Sequence, residues 1–364
     1  MRVAGRVVTP AGVLEHGRVE TDGERIVAVE STTDHSGHWV VPGFVDIHVH
    51  GGGGYTFTTA DPEQARGAAA FHLAHGTTTL LASLVSSPYD LMHEATKAYA
   101  PLAAEGVLGG IHYEGPYLSQ VRCGAQNPAY LRDPSIDELT SLLAVADGAL
   151  RMVTLAPERL GALSAIELLV RHGVVAAIGH TDASYQQTRA AIEAGASVGT
   201  HLFNGMPPPH HRAPGPVYAL LGGQSVVCEL VADGHHLHDG TLHFAATAAG
   251  PHRCALVTDA LVAAGLPDGR YDLGGRPVEV RAGQAHLAGT DSIAGSTLTM
   301  DAAVRRTVQV GVSLVDAVRM ASTTPARAIG RTDIGVLAPG ARADLVELDD
   351  QLRVVRVMRR GRWL

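Results

Sequence analysis

Two histidines, His48 and His50, stand at the end of an apolar run that begins at Val41 and stops at four consecutive glycines, residues 51 to 54. Residues at positions i and i+2 of a strand project from the same face, so the two imidazoles can approach one metal ion. Histidine is the commonest side-chain ligand of zinc and related transition metals. The pair therefore predicts part of a metal centre, and other segments must supply the remaining ligands.

Histidine and carboxylate side chains recur directly after other short apolar runs of the chain. Most of these runs contain several β-branched residues, as expected for buried strands. The side chains at the ends of these runs are Glu114, His180, His201, His235, His236 and Asp259. Because the carboxyl ends of parallel strands meet on one face of a barrel, their repeated position predicts one shared site.

The donor atoms of this set fit a transition metal. Imidazole nitrogens come from His48, His50, His180 and His201. Glu114 can bridge two ions, and Asp259 can bind an ion while still accepting a proton. The set suits Zn2+, with Fe2+ or another divalent ion as alternatives, and does not suit magnesium or calcium, which prefer oxygen. One or two ions can be held, and the expected chemistry is hydrolysis of a carbonyl-like centre.

Composition excludes several classes of protein. The chain has 364 residues, of which 46% are apolar and 18% charged, as in ordinary globular enzymes. Its formal charge of -8, with acidic and basic residues interspersed, argues against nucleic acid as a partner. The sequence has no apolar stretch of membrane-spanning length, and residues 1 to 8 lack the apolar core of a signal peptide. We therefore expect no membrane partner and a cytoplasmic location.

Two residue types limit the metal chemistry further. The three cysteines, Cys123, Cys228 and Cys254, are too scattered for a disulfide framework or a thiolate zinc knuckle. The only lysine, Lys97, lies in a segment with helical spacing. A Schiff-base lysine on a strand, or a carbamylated lysine that bridges two metals, is therefore excluded.

The hydrophobic periodicity alternates between strands and helices through the middle of the chain. The predicted strands are residues 44–49, 77–85, 108–114, 152–156, 174–179, 197–202, 226–232 and 254–258. The predicted helices are residues 61–75, 88–104, 135–146, 158–172, 184–194, 239–249 and 297–310, with a weaker one after Arg212. Eight strand-helix repeats predict an α/β fold, a closed (β/α)8 TIM barrel, with an open doubly wound sheet as the alternative.

The two ends of the chain do not follow this alternation. Residues 1–42 and 336–364 are strand-like and contain turn residues, so we expect them to pair into one small β-sandwich domain beside a barrel of residues 43–335. Within the barrel segment, residues 270–288 also read as strands around a Gly-Gly turn. We interpret them as an insertion after the eighth strand, close to the mouth.

Several motifs together resemble a known family. They are residues 42–51, 112–117, 179–183, 200–206, 232–236, 257–260, 287–289, 294–301 and 337–346. The sequence resembles the amidohydrolase superfamily and, within it, the N-acetylglucosamine-6-phosphate deacetylases, over nearly the whole chain. The resemblance implies metal-dependent hydrolysis of an amino-sugar phosphate, N-acetyl-D-glucosamine 6-phosphate, to D-glucosamine 6-phosphate and acetate in amino-sugar catabolism.

The resemblance also implies roles for single residues. Glu114, His180 and His201 correspond to the principal metal site, and His48 and His50 to a second one. Asp259 corresponds to the catalytic acid and base. The positions that correspond to substrate-binding residues are Gln126, Asn204, Gly205, Met206, Arg212 and His236. Arg212 corresponds to a phosphate-contacting arginine that reaches the neighbouring subunit, which implies a homodimer.

Two positions depart from the family pattern. Gln126 stands where many members have histidine, and glutamine can donate a hydrogen bond but cannot carry a proton. Gly205 stands where alanine is usual. Two other functions stay open from the sequence: hydrolysis of a different amide or cyclic amide, and a catalytically silent barrel that serves as a scaffold.

Overall fold

An eight-stranded parallel sheet forms the centre of the protein, which we describe from a computed structural model over residues 1–34 and 37–364. Its strands are Phe44–Val49, Thr77–Val85, Gly110–Glu114, Leu150–Leu155, Val175–Ile178, Val198–Gly199, Val227–Val231 and Cys254–Val257. Neighbours in the sheet are neighbours in the chain. The last strand returns to the first, because the N–H of Asp259 donates to the carbonyl of His48 at 2.9 Å and the N–H of His50 to that of Ala260 at 2.8 Å. The predicted TIM barrel is confirmed.

Helices cover the outside of the barrel. They are Pro62–Ala74, Tyr89–Ala104, Ile136–Ala146, Ala162–Arg171, Tyr185–Glu193, Gly215–Gly222, Asp239–Ala249, Met300–Gln309, Leu314–Ala321 and Thr323–Ala328, with single 3-10 turns at Gln120–Arg122 and Pro128–Tyr130. Local signals fix several of their starts. The Ser184 side chain accepts the N–H of Gln187 in a capping box, and the Asp61 side chain accepts the N–H of Glu63. All predicted helices are present, whereas the two between residues 314 and 328 were not predicted.

The two ends of the chain meet in one seven-stranded sheet. Its strands are Arg2–Thr9, Gly12–Asp22, Arg25–Ser31, Trp39–Pro42, Leu345–Leu348, Val354–Arg359 and Arg362–Trp363. Strand Trp39–Pro42 pairs with Leu345–Leu348 and leads directly into the first barrel strand. This β-rich unit agrees with the predicted fold class, and the domain boundaries at residues 42 and 335 stay predictions.

A three-stranded antiparallel sheet follows the eighth barrel strand, as the Gly-Gly turn predicted. Its strands are Gly269–Leu273, Arg276–Arg281 and Gln284–Leu287. Leu273 lines the cavity at the carboxyl end of the barrel, so the insertion borders the mouth. A short hairpin, Gly51–Gly52 with Tyr55–Thr56, lies after the first barrel strand. Over the described residues, no helix combines the length and the apolar character needed to cross a membrane.

Candidate metal centre and active site

Six buried side chains converge at the carboxyl end of the barrel. His48 and His50 lie on and directly after the first strand, and Glu114 ends the third. The other three follow the fifth, sixth and eighth strands by two residues: His180, His201 and Asp259. These last three have positive φ angles of 45°, 25° and 50°, which non-glycine residues rarely adopt. Strained backbone of this kind clusters at functional sites, where the surrounding structure holds it in place.

The six side chains form two groups of three. Within each group, the ligand atoms all lie within 4.8 Å of one another. In the first group, Glu114 Oε1 lies 2.9 Å from Nε2 of both His180 and His201. In the second group, His48, His50 and Asp259, the two imidazole Nε2 atoms are 3.2 Å apart and His50 Nε2 is 3.3 Å from Asp259 Oδ1. Glu114 Oε2 is also 3.2 Å from His50 Nε2, so this carboxylate contacts both groups.

Hydrogen bonds on the far side of the rings determine which nitrogen faces the centre. Nδ1 of His48 lies 2.9 Å from Glu229 Oε2, Nδ1 of His50 3.1 Å from the Ser83 carbonyl, and Nδ1 of His180 2.8 Å from a carbonyl oxygen. Each partner accepts only, so Nδ1 carries the hydrogen and the Nε2 lone pair points inward. Converging lone pairs and carboxylates repel one another unless a cation or protons lie between them, so the donor set fits a divalent metal ion.

The pKa shifts of the centre also indicate a site for a cation. Burial opposes ionisation of Glu114, but His48 and His180 hold its pKa well below the usual value. Burial likewise lowers the pKa of His48, yet the carboxylates of Glu229 and Glu114 raise it well above normal. The pKa of Asp259 falls to about 2 despite burial, because His48 and His50 favour its charged form. The carboxylates are therefore ionised at neutral pH and attract positive charge into the mouth.

Three buried polar residues beneath the centre were not among the predicted site residues. Glu229 accepts the hydrogen bond of His48 and also the backbone N–H of His201 at 3.1 Å. Asp46 accepts the Thr258 hydroxyl at 2.6 Å, and His112 lies 2.9 Å from hydroxyls on the second and fourth strands. The available signal was an ionisable residue inside an otherwise apolar strand, which is costly unless it is paired.

A cavity of about 310 Å³ opens above the centre. It is lined by Gln126, Asn204, Gly205 and His236 among the predicted substrate-binding residues. Met206 is only 6% exposed and packs in the hydrophobic core instead. Arg212 lies on the surface, with Nη1 2.7 Å from His211 Nε2. Within one subunit the structure thus brings four of the six predicted substrate residues to the cavity.

Gln126 is held by the centre itself. Its amide nitrogen donates to Glu114 Oε2, and its amide oxygen accepts the N–H of Ser86 at 2.7 Å. Both ends of the side chain are therefore engaged. In this chain the residue orients the shared carboxylate, a task that an uncharged amide can perform.

His236 is oriented by Asp233. His236 Nδ1 lies 2.7 Å from Asp233 Oδ2, while the backbone N–H groups of His235 and His236 both donate to Asp233 Oδ1 at 2.8 Å. His236 Nε2 is 3.7 Å from Asp259 Oδ2. Burial lowers the pKa of His236, but Asp233 raises it above the usual value, so the ring can donate a hydrogen bond into the cavity. The side chain of His235 is exposed.

The profile of the amidohydrolase family matches residues 39–364. The chain belongs to the amidohydrolase family. Within it, the chain is 39% identical to N-acetylgalactosamine-6-phosphate deacetylase of Escherichia coli O157:H7, over 98% of this chain and 97% of that protein. It is 36% identical to N-acetylglucosamine-6-phosphate deacetylase of Lysinibacillus sphaericus, over 90% of this chain and 86% of that protein.

A solved structure of another amidohydrolase is closely similar throughout. N-acetyl-D-glucosamine-6-phosphate deacetylase of Mycobacterium smegmatis, an aspartate-to-alanine variant in complex with N-acetyl-D-glucosamine 6-phosphate, is 46% identical. The match has a TM-score of 0.97 and covers 100% of this chain and 98% of that one. The predicted resemblance to this family is thus confirmed.

Proposed function

We propose that this protein is a hydrolase that removes the acetyl group of N-acetyl-D-glucosamine 6-phosphate, releasing D-glucosamine 6-phosphate and acetate. One observation carries the proposal: two metal-ligand groups share Glu114 beside an ionised Asp259 in a mouth cavity. The full-length likeness to a deacetylase solved with this sugar phosphate supports the choice of substrate.

We propose Zn2+ as the ion, held at the first group by Glu114, His180 and His201 and at the second by His48, His50 and Asp259. The imidazole nitrogens favour zinc or iron over oxygen-preferring ions. When bound, a divalent ion polarises the acetyl carbonyl and lowers the pKa of the attacking water. The second group is proposed as the optional one, because the family resemblance assigns the principal site to Glu114, His180 and His201.

Asp259 is proposed as the residue that moves the proton. Its carboxylate is ionised at neutral pH and faces the cavity, so it can take a proton from the attacking water. The water oxygen then forms a bond to the acetyl carbon. When the carbon–nitrogen bond breaks, Asp259 returns the proton to the departing amine, which leaves neutral.

His236 is proposed as the donor to the carbonyl oxygen, where negative charge develops. Asp233 fixes its ring and favours the protonated form. Donors held in place in this way stabilise an oxyanion without reorganising. Gln126 is the less suitable donor, since its amide already binds Glu114.

The sugar phosphate is proposed to lie against the segment of Asn204, Gly205 and Met206, whose first two residues line the cavity. Arg212 is exposed within the subunit, so we propose that it contacts the phosphate bound by a partner subunit of a homodimer. A cytoplasmic location remains our proposal as well.

A second candidate substrate is N-acetyl-D-galactosamine 6-phosphate. It is favoured by the 39% identity, over 98% of the chain, to a deacetylase named for that sugar. The two sugars differ only in the configuration of one hydroxyl, so both fit the same chemistry.

The experiment is acetate release from a panel of substrates, with the metal content of the same sample measured in parallel. The panel contains both N-acetylhexosamine 6-phosphates and unphosphorylated N-acetylglucosamine. We expect release from at least one phosphate and much weaker release without phosphate. A metal-loaded, folded sample that releases no acetate from either phosphate would refute the proposal, and equal efficiency with and without phosphate would remove Arg212 from substrate recognition.

A further inference from the structure

A second large cavity lies at the opposite end of the barrel from the metal centre. Its volume is about 530 Å³. The floor is formed where barrel strands begin, near Thr79, Gly109 and Arg151, and the wall by the helix Tyr89–Ala104. The C-terminal part of the seven-stranded sheet closes the cavity with Arg359. It is therefore separate from the mouth and lies between the barrel and the β-rich unit.

The lining of this cavity is strongly basic. Its cations are Lys97, Arg151, Arg331, Arg342, Arg359 and Arg360. Asp147 is the one acidic residue among the described lining residues. Two further carboxylates pair with arginines of the cavity: Asp333 contacts Arg331 at 2.7 Å, and Asp344 contacts Arg342 at 2.6 Å. Six cations against three carboxylates leave a formal charge of +3.

Backbone carbonyls, rather than carboxylates, hold two of the arginines in place. Arg359 Nη2 donates to the carbonyls of Gly106 and Val107, and Arg360 Nη1 donates to that of Glu105 at 3.2 Å. A side chain at Gly106 would collide with Arg360, since a Cβ there would lie 1.6 Å from Nη2. The glycine therefore lets the guanidinium lie against the chain. Neutral partners orient these guanidinium groups without cancelling their charge.

Several cations of the cavity lack a compensating partner. Nε of Arg359 and of Arg360 is buried with no hydrogen-bond partner among residues 1–34 and 37–364. Lys97 and Arg151 have no hydrogen bond or ion pair within the same described ranges. Burial lowers the pKa of Arg359, and the nearby Arg342 and Arg360 lower it further against the pull of Asp344. The cavity thus concentrates uncompensated positive charge.

We propose that this cavity binds a small phosphorylated anion that carries two or more negative charges. Guanidinium groups match phosphate oxygens through paired hydrogen bonds, and an excess of three positive charges calls for a multiply charged ligand. Among the described lining residues there is no aromatic ring to stack on a nucleobase, which favours a sugar phosphate or pyrophosphate over a nucleotide. The bound anion joins Lys97 and Arg151 of the barrel to Arg359 and Arg360 of the β-rich unit.

The single lysine provides a local probe of this site. Lys97 is exposed on the cavity and is the only lysine of the chain, so an amine reagent marks one side chain that mass spectrometry can follow. The full-length protein is labelled in sodium chloride, in pyrophosphate and in glucose 6-phosphate at equal ionic strength. We expect at least one of the two phosphates to slow the labelling of Lys97 about fivefold or more. Equal labelling rates in all three salts would overturn the proposal.

Variants separate this site from other causes of protection. Arg151→Gln removes a cation that makes no described bond, so the fold should persist, and we expect most of the protection to be lost. The matched control is Arg171→Gln, which removes an exposed arginine from the helix Ala162–Arg171 and should keep protection. Arg212→Gln should also keep it, because Arg212 belongs to the proposed phosphate contact at the mouth. Full protection in Arg151→Gln, or its loss in Arg212→Gln, would contradict binding at this cavity.

Comparison of the two anions shows which kind of phosphate the cavity binds. Protection by glucose 6-phosphate indicates a sugar phosphate, whereas protection by pyrophosphate alone indicates an inorganic anion. An anion that protects Lys97 should also raise the melting temperature of the unmodified protein more than chloride does, because it binds the folded state alone. If the anion raised the melting temperature of Arg151→Gln by the same amount, binding at this cavity would be refuted.

Discussion

Glu229 Oε2 lies 2.9 Å from His48 Nδ1 at the base of the metal centre, and both side chains are fully buried. The same oxygen accepts the backbone N–H of His201. One carboxylate on the seventh barrel strand therefore contacts one histidine of each of the two candidate metal-binding groups. Such a partner fixes the orientation of a metal-binding imidazole and increases its basicity.

Glu229→Gln should weaken metal binding without touching a ligand. The amide keeps the size of the side chain but loses the charge that favours Nδ1–H on His48, so we expect about 10- to 100-fold lower affinity. Metal titration with a competing chelator measures the change. Asp301→Asn, which alters another buried carboxylate that bonds Arg305 instead of a residue of the centre, is the control and should leave affinity unchanged. Wild-type affinity in Glu229→Gln would argue against this orienting role.

Asp259→Asn should separate catalysis from metal binding. Asparagine cannot take the proton of the attacking water, so we expect turnover to fall by about 10²- to 10⁴-fold or more. The first group, Glu114 with His180 and His201, is intact in this variant and should keep its ion. Acetate release and metal content are measured on one preparation. Full activity would show that another residue moves the proton.

Replacement of both His48 and His50 by alanine should change the metal stoichiometry first. The variant retains the three residues of the first group, Glu114, His180 and His201, so we expect it to keep the ion of that group and to lose any ion held at the second. Elemental analysis after dialysis against trace metal gives the count. If the variant binds no metal at all, the principal site includes the HxH pair and our ranking of the two groups is wrong.

Metal binding should release protons near neutral pH. Burial lowers the pKa of His50, but hydrogen bonds to Asp259 and Glu114 raise it to about 9, so the ring is protonated at pH 7.5 in the metal-free centre. An ion displaces that proton, and affinity should therefore fall as the pH drops below 9. Titration calorimetry in two buffers with different ionisation enthalpies should report about one proton or more per chain. Heats that do not depend on the buffer would contradict this charge assignment.

Asp301 should stabilise the fold in a pH-dependent way. Burial raises the pKa of Asp301, but His75, Thr299 and Arg305 together hold it far below its usual value, and Arg305 Nη1 lies 2.6 Å away. The pKa of Asp301 is therefore lower in the folded protein than in the unfolded chain, where it is about 3.9. The carboxylate stabilises the fold above that pH, and this stabilisation is lost as the pH falls below it.

Asp301→Asn should accordingly lower the free energy of unfolding at pH 7 by about 1–3 kcal/mol. The difference from the wild type should shrink as the pH approaches 2. Denaturant unfolding at several pH values measures both. A difference that stays constant from pH 7 to pH 2 would mean that packing, rather than charge, accounts for the loss.

The sequence predicted the barrel well because its strands are buried on both faces. Runs such as Thr77–Val85 are fully buried and rich in β-branched or aliphatic residues, and helical segments intervene regularly. The prediction was least accurate for the sixth strand. Residues 197–202 were predicted, whereas the strand in the structure is Val198–Gly199. His201 interrupts the extended conformation with a positive φ angle, which the sequence does not reveal, although Thr200 and Leu202 still donate backbone hydrogen bonds to Ile178 and Glu229.

The residues that support the candidate ligands could not be identified from the sequence, for a different reason. Glu229 contacts His48 across 181 positions of the sequence, so its partner exists only once the barrel closes. The helices Leu314–Ala321 and Thr323–Ala328 are short, and their apolar residues do not extend over enough turns to establish a period. Candidate ligands recur in the sequence at the end of one predicted strand after another. A contact such as that of Glu229 with His48 produces no pattern in the neighbouring sequence.

The pairing of Trp39–Pro42 with Leu345–Leu348 has a consequence for synthesis on the ribosome. The earlier strand must wait for roughly three hundred further residues to be translated before its neighbour exists, a very long-range contact for a nascent chain. Until then the edge of Trp39–Pro42 exposes unpaired backbone groups next to the first barrel strand. Folding factors that shield such an edge during translation should therefore raise the yield of this protein more than those that act after release.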